Sequence, residues 1–308
     1  MDVKNFRLRL FMFSFFIFLF SFSLCKPVSA QTRKTNDSRE VPGIVVNGEG
    51  SIPLDRGAFV YAFADTKTMR PIIDIIPISQ LKSWQAAQVI DRTETAIAGL
   101  FTSDTGRLFQ AVGFGSYPSL VVNVALAVSK NWKYLFSGKD HYWYSDTDKM
   151  SASFSSEEVY VLGWRRTRMK AMYDEPGVKT PEGFIAFRNR SGKPAPLSLW
   201  MENDNSILDR MLIGEGIAIN LPIERLYLNL YVENKVYKAE LMLQTRGFFS
   251  TANLAINLSE AGEPDSVLKK LFFTNKPLMN GRSVEFSAVV FSEDEITSLL
   301  KVFMKYWK

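Results

Sequence analysis

An internal repeat constrains the fold of this chain more than any single motif does. Residues 96–162 and 227–300 carry the same order of apolar runs and turns, with matching segments about 130 residues apart. The clearest match joins two alternating hairpins, at 95–112 in the first copy and at 226–242 in the second. Because a repeated unit buries its apolar faces in the same way each time, the pattern predicts a duplicated domain.

Each copy is predicted to contain the order β-α-β-β-α-β. In the second copy the strand, helix, hairpin, helix and strand fall at 196–202, 205–212, 226–243, 248–258 and 284–290. In the first copy they fall at 58–64, 78–89, 95–112, 118–128 and 151–154. This order predicts an α+β fold of two tandem ferredoxin-like repeats, each an antiparallel sheet with its helices on one face, plus a C-terminal amphipathic helix. The predicted boundaries are 51–164 for the first repeat, 165–182 for a connector and 183–308 for the second repeat.

A serine and a glutamate three residues apart close each copy. Ser155 with Glu158, and Ser292 with Glu295, form capping-box patterns, in which the two side chains satisfy free backbone N–H groups at a helix start. In the first copy 159–161 is rich in β-branched and aromatic residues, so the last helix there is expected to be short or absent.

Residues 1–30 have the pattern of a secretory signal peptide. Three basic residues precede an apolar core at 11–24, and 28–30 offers small residues for cleavage. The core is shorter than the roughly 20 residues that a membrane span needs. A cleaved signal is therefore predicted, followed by a polar leader at 31–50, with an uncleaved anchor as the alternative.

Cys25 lies just after the apolar core, where a bacterial lipoprotein carries its lipid-bearing cysteine. Leu24 precedes it at a position where such a signal normally has a small side chain. Cleavage after Ala30 is therefore the preferred prediction, with lipidation of Cys25 as the alternative. Because Cys25 is the single cysteine, that cleavage leaves a chain whose stability depends on apolar burial rather than on disulfides.

The charge balance gives little support to nucleic-acid binding, and no nucleic-acid partner is predicted. The full chain contains 37 Lys and Arg against 32 Asp and Glu. Removal of residues 1–30 takes away four bases and one acid, which leaves a nearly neutral chain.

The chain contains few of the side chains that catalysis and metal binding use most. His141 is the single histidine, which excludes a multi-histidine metal site, and its aromatic neighbours at 142–144 favour a strand edge over a Ser-His-Asp arrangement. We predict a protein that is not an enzyme, with no catalytic residue, no metal and no cofactor. The alternative is a hydrolase that uses two carboxylates in a cleft between the copies.

A basic cluster lies in the predicted connector, at Arg165, Arg166, Arg168 and Lys170. It is a candidate patch for an anionic partner such as an anionic lipid, an envelope polysaccharide or an acidic protein. A solvated connector between two domains explains the cluster equally well.

Two apolar helices are the candidate membrane or lipid contacts. The helix at 119–128 has only Asn123 as a clearly polar central residue, which indicates burial on both sides or contact with lipid. Its predicted contact residues are Leu120, Val121 and Val124.

The C-terminal helix places apolar residues on one stripe and lysines elsewhere, as interfacial helices do. Its predicted contact residues are Leu299, Phe303 and Trp307. The alternative is that this stripe packs on the second sheet.

A Phe-rich apolar segment that ends at a cysteine (11–25) occurs here together with two apolar helices (118–128 and 296–308) in an exported α/β chain. In this combination the chain resembles spirochaete outer-membrane-associated proteins that insert amphipathic helices into lipid. The resemblance implies an α/β fold at the outer membrane and carries over no individual functional residue.

The leading hypothesis is an exported, non-enzymatic bacterial envelope protein, periplasmic or associated with the outer membrane. It would bind a membrane surface, a lipid or another envelope protein through its amphipathic helices. A structural adaptor in an envelope complex is the main alternative, with a broad exposed apolar patch as its signature.

Overall fold

The computed structural model describes residues 51–52, 58–75, 91–103, 106–137, 140–145, 150–154, 158–163, 178–179, 181, 183–203, 207–216, 223–234, 236–260 and 266–306. The predicted signal segment, the leader and the helix predicted at 78–89 lie outside these ranges, and so does most of the predicted connector.

Twelve of the fourteen strands in the described ranges form one sheet, in the order β13-β14-β12-β11-β10-β2-β3-β4-β8-β7-β6-β5, and every neighbouring pair is antiparallel. The other two, β1 and β9, form a separate ribbon. The bounds are β1 Ser51–Ile52, β2 Ala58–Asp65, β3 Thr93–Ser103, β4 Gly106–Gly115, β5 Trp132–Ser137, β6 Asp140–Ser145, β7 Met150–Phe154, β8 Glu158–Gly163, β9 Val178–Lys179, β10 Leu197–Glu202, β11 Ile223–Glu233, β12 Val236–Thr245, β13 Leu278–Asn280 and β14 Ser283–Phe291.

The sheet order repeats on the two sides of the β2–β10 pair. Moving outward, β2-β3-β4-β8 on one side corresponds to β10-β11-β12-β14 on the other. The strands β3 and β11 have 11 residues each, and β4 and β12 have 10 each. The two hairpins therefore occupy equivalent places, as their matching sequence patterns predict.

The two halves share one sheet instead of forming a sheet each. β2 and β10 pair directly, with Tyr61 opposite Trp200 and Val60 opposite Met201. An edge strand leaves backbone N–H and C=O groups without partners, and joining the halves at these two strands satisfies both edges at once. The boundary between the copies is thus a hydrogen-bonded strand pair.

The predicted ferredoxin-like order is wrong, although the α+β class with an antiparallel sheet is confirmed. In a split βαβ unit the two strands joined by a helix run parallel, with another strand between them. Here β3 returns antiparallel and directly beside β2, and β11 returns in the same way beside β10. Hydrophobic periodicity predicts which residues form strands, but it does not specify which strands are neighbours.

Seven helices lie in the described residues: α1 Arg70–Ile75, α2 Ser119–Val128, α3 Phe184–Arg188, α4 Ile207–Gly214, α5 Phe248–Glu260, α6 Val267–Phe273 and α7 Glu293–Tyr306. Six of them, all except α3, contribute residues to the larger core on one face of the sheet, which we call the helix side. The helix α3 contributes Phe184 and Phe187 to a smaller, aromatic-rich core on the other face.

Alternation along the strands explains how one sheet supports two cores. In β12 the buried residues Tyr237, Ala239, Leu241 and Leu243 alternate with more accessible ones. The four buried side chains therefore lie on the helix side of the sheet, and the residues between them lie on the other face. Direct cross-strand partners carry the same face across eleven of the twelve strands. The row runs Tyr134, Trp143, Ala152, Val161, Ala111, Ala98, Ala62, Leu199, Leu228, Leu241 and Phe286.

The ends of the two halves differ more than their sequences suggest. Segments 132–136 (WKYLF) and 268–272 (LKKLF) have similar sequences at corresponding places in the repeat. They nevertheless form strand β5 in the first half and lie in helix α6 in the second. In the second half the predicted capping box is confirmed, because Ser292 N donates to Glu295 Oε2 at 2.8 Å and Glu295 N donates to Ser292 Oγ at 3.3 Å. In the first half strand β8 begins at Glu158, so no helix starts there.

Candidate membrane-contact surface

The helix α2 has one buried side and one exposed apolar side. Val122, Ala125 and Leu126 face the core, while the other side exposes Leu120, Val121, Val124 and Val128. Leu120 is 76% exposed and Val124 is 56% exposed. The three residues predicted for this helix, Leu120, Val121 and Val124, are therefore accessible, and the helix is buried on one side only.

A hydrogen bond fixes the orientation of α2 on the sheet. Trp143 Nε1 on β6 donates to Asn123 Oδ1 on α2 at 2.7 Å. Trp143 itself is buried in the helix-side core with Val122 and Leu126. The single polar side chain in the centre of α2 thus pairs with the sheet, and the apolar ones beside it are left facing outward.

Aromatic side chains on β5 extend the exposed apolar area beside α2, which packs against this strand. Tyr134 and Phe136 share a face of β5 with the core residue Trp132, and both are exposed. The Tyr134 ring centre lies 5.3 Å from that of Phe136 and 4.8 Å from that of Trp143. We call this surface the first patch: Leu120, Val121, Val124, Val128, Tyr134 and Phe136.

A second exposed apolar area, which we call the second patch, consists of Phe248 and Phe249 at the start of α5. Phe248 is 61% exposed and Phe249 is 85% exposed, and their ring centres lie 6.2 Å apart in an edge-to-face arrangement. The sequence predicted a helix here without singling out the two phenylalanines. The sequence alone gives no clear signal for them, because adjacent residues on a helix lie about 100° apart and can either share a buried stripe or lie outside it.

The two patches lie on the same side of the sheet and toward its opposite ends. The helices α2 and α5 pack into the same core, through Leu126 and Leu254. The helix α2 contacts β5 at one end of the strand order, and α5 contacts β13 and β14 at the other. Strands lie about 4.8 Å apart, so an interval of eleven strands corresponds to roughly 50 Å measured along the sheet.

Basic residues flank the second patch. Arg246 Nε lies 3.6 Å from Glu224 Oε1, and Arg282 Nη2 lies 3.1 Å from Glu224 Oε2. Arg282 also donates to the backbone carbonyl of Thr245, from Nε at 3.3 Å and from Nη2 at 3.2 Å. This group of charges lies at the end of β12, directly before α5 begins.

The C-terminal helix does not match its predicted role at Leu299. Leu299 is 4% exposed and lies in the helix-side core with Ile296, so its assignment as a lipid contact is wrong in this fold. The reason is that α7 packs on α4 and α6, which take up its apolar stripe. Phe303 belongs to α7, but its side chain lies outside the described part of the structure, as does the whole of Trp307.

The basic cluster predicted at Arg165, Arg166, Arg168 and Lys170 also lies outside the described residues. Within the described ranges, no three His, Cys, Asp or Glu side chains lie together in a group that could hold a metal ion. In the same ranges, no helix combines the length and the apolar character that crossing a bilayer requires.

The carboxylates of Glu240 and Glu285 both contact Arg190. They lie on neighbouring strands, on the face of the sheet that α3 covers. Arg190 Nη2 lies 2.8 Å from Glu285 Oε2, and Arg190 Nε lies 3.9 Å from Glu240 Oε2. Tyr231 Oη donates to the same Glu240 oxygen at 3.2 Å, and burial raises the pKa of Tyr231. The network ties the turn after α3 to the sheet.

Solved structures share this mixed α+β architecture. The chain is similar to TP0453 in crystal form I, with a TM-score of 0.59 at 17% identity, covering 83% of this chain and 96% of that chain. It is also similar to TP0453 in crystal form IV, with a TM-score of 0.56 at 18% identity, covering 85% of this chain and 99% of that chain. No curated protein sequence matches the chain.

The fold is thus that of the TP0453 structures, an antiparallel sheet with helices packed against it. A family model described as "Outer membrane-associated lipoprotein TP0453" matches residues 54–255, more than half of the chain, and the chain belongs to that family. The resemblance to spirochaete outer-membrane-associated proteins is confirmed. The protein is exported and associated with the outer membrane of the envelope.

Proposed function

We propose that this protein binds a membrane surface through the first and second patches on the helix side of its sheet. The observation that carries the proposal is the exposure of Leu120, Val121, Val124 and Val128 on a helix whose opposite side is locked into the core. Apolar surface of this extent is a cost in water, and removing one such side chain from water stabilises the bound state by roughly 1.5–3 kcal/mol.

The helical backbone makes α2 suited to an interface. Its N–H and C=O groups bond to one another within the helix, so its exposed side can enter a water-poor layer without leaving them unpaired. A helix of this kind lies in the plane of the interface, with its apolar side about 5–10 Å into the boundary between headgroups and acyl chains. Tyr134 suits the same depth, because its ring is apolar and its hydroxyl is polar.

Membrane binding of this kind needs no catalytic step, and we include in the proposal that the protein is not an enzyme. The carboxylates of Glu240 and Glu285, which face each other across Arg190, act as partners of that arginine and not as an acid and a base. A structural adaptor remains the second candidate, since the first patch would also suit a protein partner.

The membership of a lipoprotein family supports lipidation of Cys25 as part of the proposal. The acyl groups of a lipidated cysteine attach a chain to a membrane, and a further apolar contact strengthens that attachment. The two apolar patches supply that contact. An acyl chain at Cys25 and the helix side of the sheet would then act on the same membrane.

Flotation of the processed protein with phosphatidylcholine vesicles tests the proposal. The double variant Leu120→Asn, Val124→Asn should weaken binding at least tenfold, because each change removes apolar area from the contact. Leu278→Asn is the matched control. Leu278 is 64% exposed but lies opposite Glu285, on the face away from the helices.

Recovery of the wild-type protein entirely in the soluble fraction would overturn the proposal. An equal loss of binding in the double variant and in Leu278→Asn would also contradict it, because general apolar adhesion would then explain flotation. A soluble wild-type protein that forms a complex with another envelope protein through the same residues would favour the adaptor.

A further inference from the structure

Two arginines that share one carboxylate lie at the border of the second patch. Arg246 and Arg282 lie at the strand ends where α5 begins, with Glu224 between them. Two positive charges thus meet one negative charge. An excess of positive charge at this place favours an anionic ligand.

The position of Glu224 is fixed by the backbone. It occupies the irregular step of β11 between Ile223 and Arg225, and its carbonyl accepts a hydrogen bond from Asn203 N at 2.8 Å. Its carboxylate therefore holds Arg246 and Arg282 near each other. Arg282 is further fixed by its two contacts with the Thr245 carbonyl.

These arginines are anchored and yet accessible. The side chain of Arg246 is 79% exposed and that of Arg282 is 54% exposed. A guanidinium group offers several N–H donors in a planar fork, so a contact with one carboxylate leaves donors that can reach a second anion. Phosphate oxygens are well suited to this geometry.

The exposed aromatic pair follows in the chain within three residues. Arg246 is separated from Phe248 only by Gly247, and Phe249 comes next. A cation next to exposed aromatic rings fits a surface where apolar and anionic layers meet, and the boundary between acyl chains and headgroups is such a surface.

We infer that Arg246 and Arg282 bind the headgroup phosphate of an anionic phospholipid while Phe248 and Phe249 enter the acyl layer. This inference rests on the proposed membrane binding and adds a lipid class to it. The second patch selects the lipid charge, and the first patch supplies apolar contact that does not depend on charge.

The repeat provides an internal comparison. Strands β4 and β12 correspond with an offset of 130 residues (106 against 236), so Ser116 stands where the second half has Arg246. The first patch therefore begins with a neutral residue at the position where the second begins with a cation. The cation at this position is a property of the second half.

Flotation of the processed protein with two vesicle types tests the inference, one of pure phosphatidylcholine and one with about a third phosphatidylglycerol. The wild-type protein should bind the anionic vesicles more tightly, by about fivefold for each arginine that approaches the surface. Arg246→Gln should lower binding to anionic vesicles about fivefold and should lower binding to neutral vesicles far less, because choline offsets the phosphate charge there. High salt should remove the preference in the wild-type protein.

Lys193→Gln is the matched control, because it removes one exposed positive charge from the turn after α3. Equal effects of Arg246→Gln and Lys193→Gln would overturn the inference, since diffuse charge would then explain the preference. Equal binding of wild type to both vesicle types would overturn it while leaving the proposed function intact. Binding to neither type would overturn both.

Discussion

The guanidinium carbon of Arg188 lies 3.6 Å from the centre of the Phe63 ring, so a cation of α3 covers an aromatic side chain of β2. Arg188 is 7% exposed, and its Nε donates to the carbonyl of Ala195 at 3.3 Å. Burial lowers the pKa of Arg188 to about 10, with Asp65 acting in the opposite direction, and the side chain stays charged at neutral pH. This contact joins a helix that precedes β10 to a strand of the first half.

Replacing Arg188 with Ala should lower the free energy of unfolding by about 2 kcal/mol. The change removes the cation–π contact and the packing of the long side chain over the ring. Urea unfolding measures the loss, with the exposed Lys193→Ala as the control. A change below about 0.5 kcal/mol would mean that the contact adds nothing to stability.

Asn123→Ala should loosen α2 from the sheet. It leaves the indole N–H of Trp143 without its acceptor, at a cost of about 1–2 kcal/mol. Intrinsic Trp fluorescence during urea unfolding measures this loss. The neighbouring Val124→Ala removes only exposed surface and should cost far less. Equal effects of the two changes would contradict the anchoring role of Asn123.

Gly115→Ala should destabilise the fold by about 3 kcal/mol or more. A Cβ atom at this position would lie 2.0 Å from the backbone oxygen of Arg92, and neither backbone can move without disturbing the β3–β4 pair. Gly247 has open space around it, so Gly247→Ala is the control and should cost under about 1 kcal/mol. Thermal unfolding measures both variants. A larger loss of stability for Gly115→Ala indicates the local steric clash, whereas equal losses would indicate a general cost of replacing glycine and would contradict the prediction.

The contribution of Glu295 to stability should depend on pH. A hydrogen bond from Lys270 Nζ at 2.7 Å, together with the backbone N–H of Ser292, holds the pKa of Glu295 below its usual value. Because the folded pKa is the lower one, this stabilisation is present above the unfolded pKa of about 4.3 and is lost as the pH falls through the folded value.

Glu295→Gln should therefore unfold about 1 kcal/mol more easily at pH 7 and should approach the wild type below about pH 4. Urea titrations at both pH values measure the difference. Asp294→Asn removes an exposed acid from the same helix turn and serves as the control. A difference that is the same at both pH values would contradict the role of the charge.

The mass of the protein from its native host should reveal a lipid at Cys25. Lipidation gives a chain that begins at residue 25 and carries acyl groups, whereas cleavage after Ala30 gives an unmodified chain from Gln31. The variant Cys25→Ser should abolish the lipidated form and should leave cleavage after Ala30 unaffected. An unmodified chain that begins at Gln31 would contradict the lipid anchor.

The sequence predicted the elements of each half better than their arrangement. Alternation at 226–243 located the second hairpin because one face of β11 and β12 is buried, and burial leaves a period of two in the residue types. The order of strands within the sheet produces no comparable pattern in the sequence. Several strand orders, the ferredoxin-like one among them, fit the same order of elements along the chain. The pairing of β2 with β10 could not be predicted from the sequence of either strand alone.

The candidate surface was also predicted in part. The apolar character of 119–128 predicts burial on both sides or contact with lipid, and the structure buries one side of α2 only. The same criterion failed for Leu299, because an amphipathic stripe looks alike whether it faces a lipid layer or its own core. Tyr134, Phe136 and the arginines next to α5 come together only through the fold.

The shared sheet also determines how the protein would respond to a pulling force or to proteolytic cleavage between the halves. Every strand from β13 to β5 is hydrogen-bonded to its neighbours. Separating the halves therefore breaks the β2–β10 ladder and leaves two sheet edges with unpaired backbone N–H and C=O groups. Neither half should survive as a stable fragment. The sheet itself therefore fixes where Phe249 and Leu120 lie relative to each other, so a bilayer would contact two surfaces whose separation does not change.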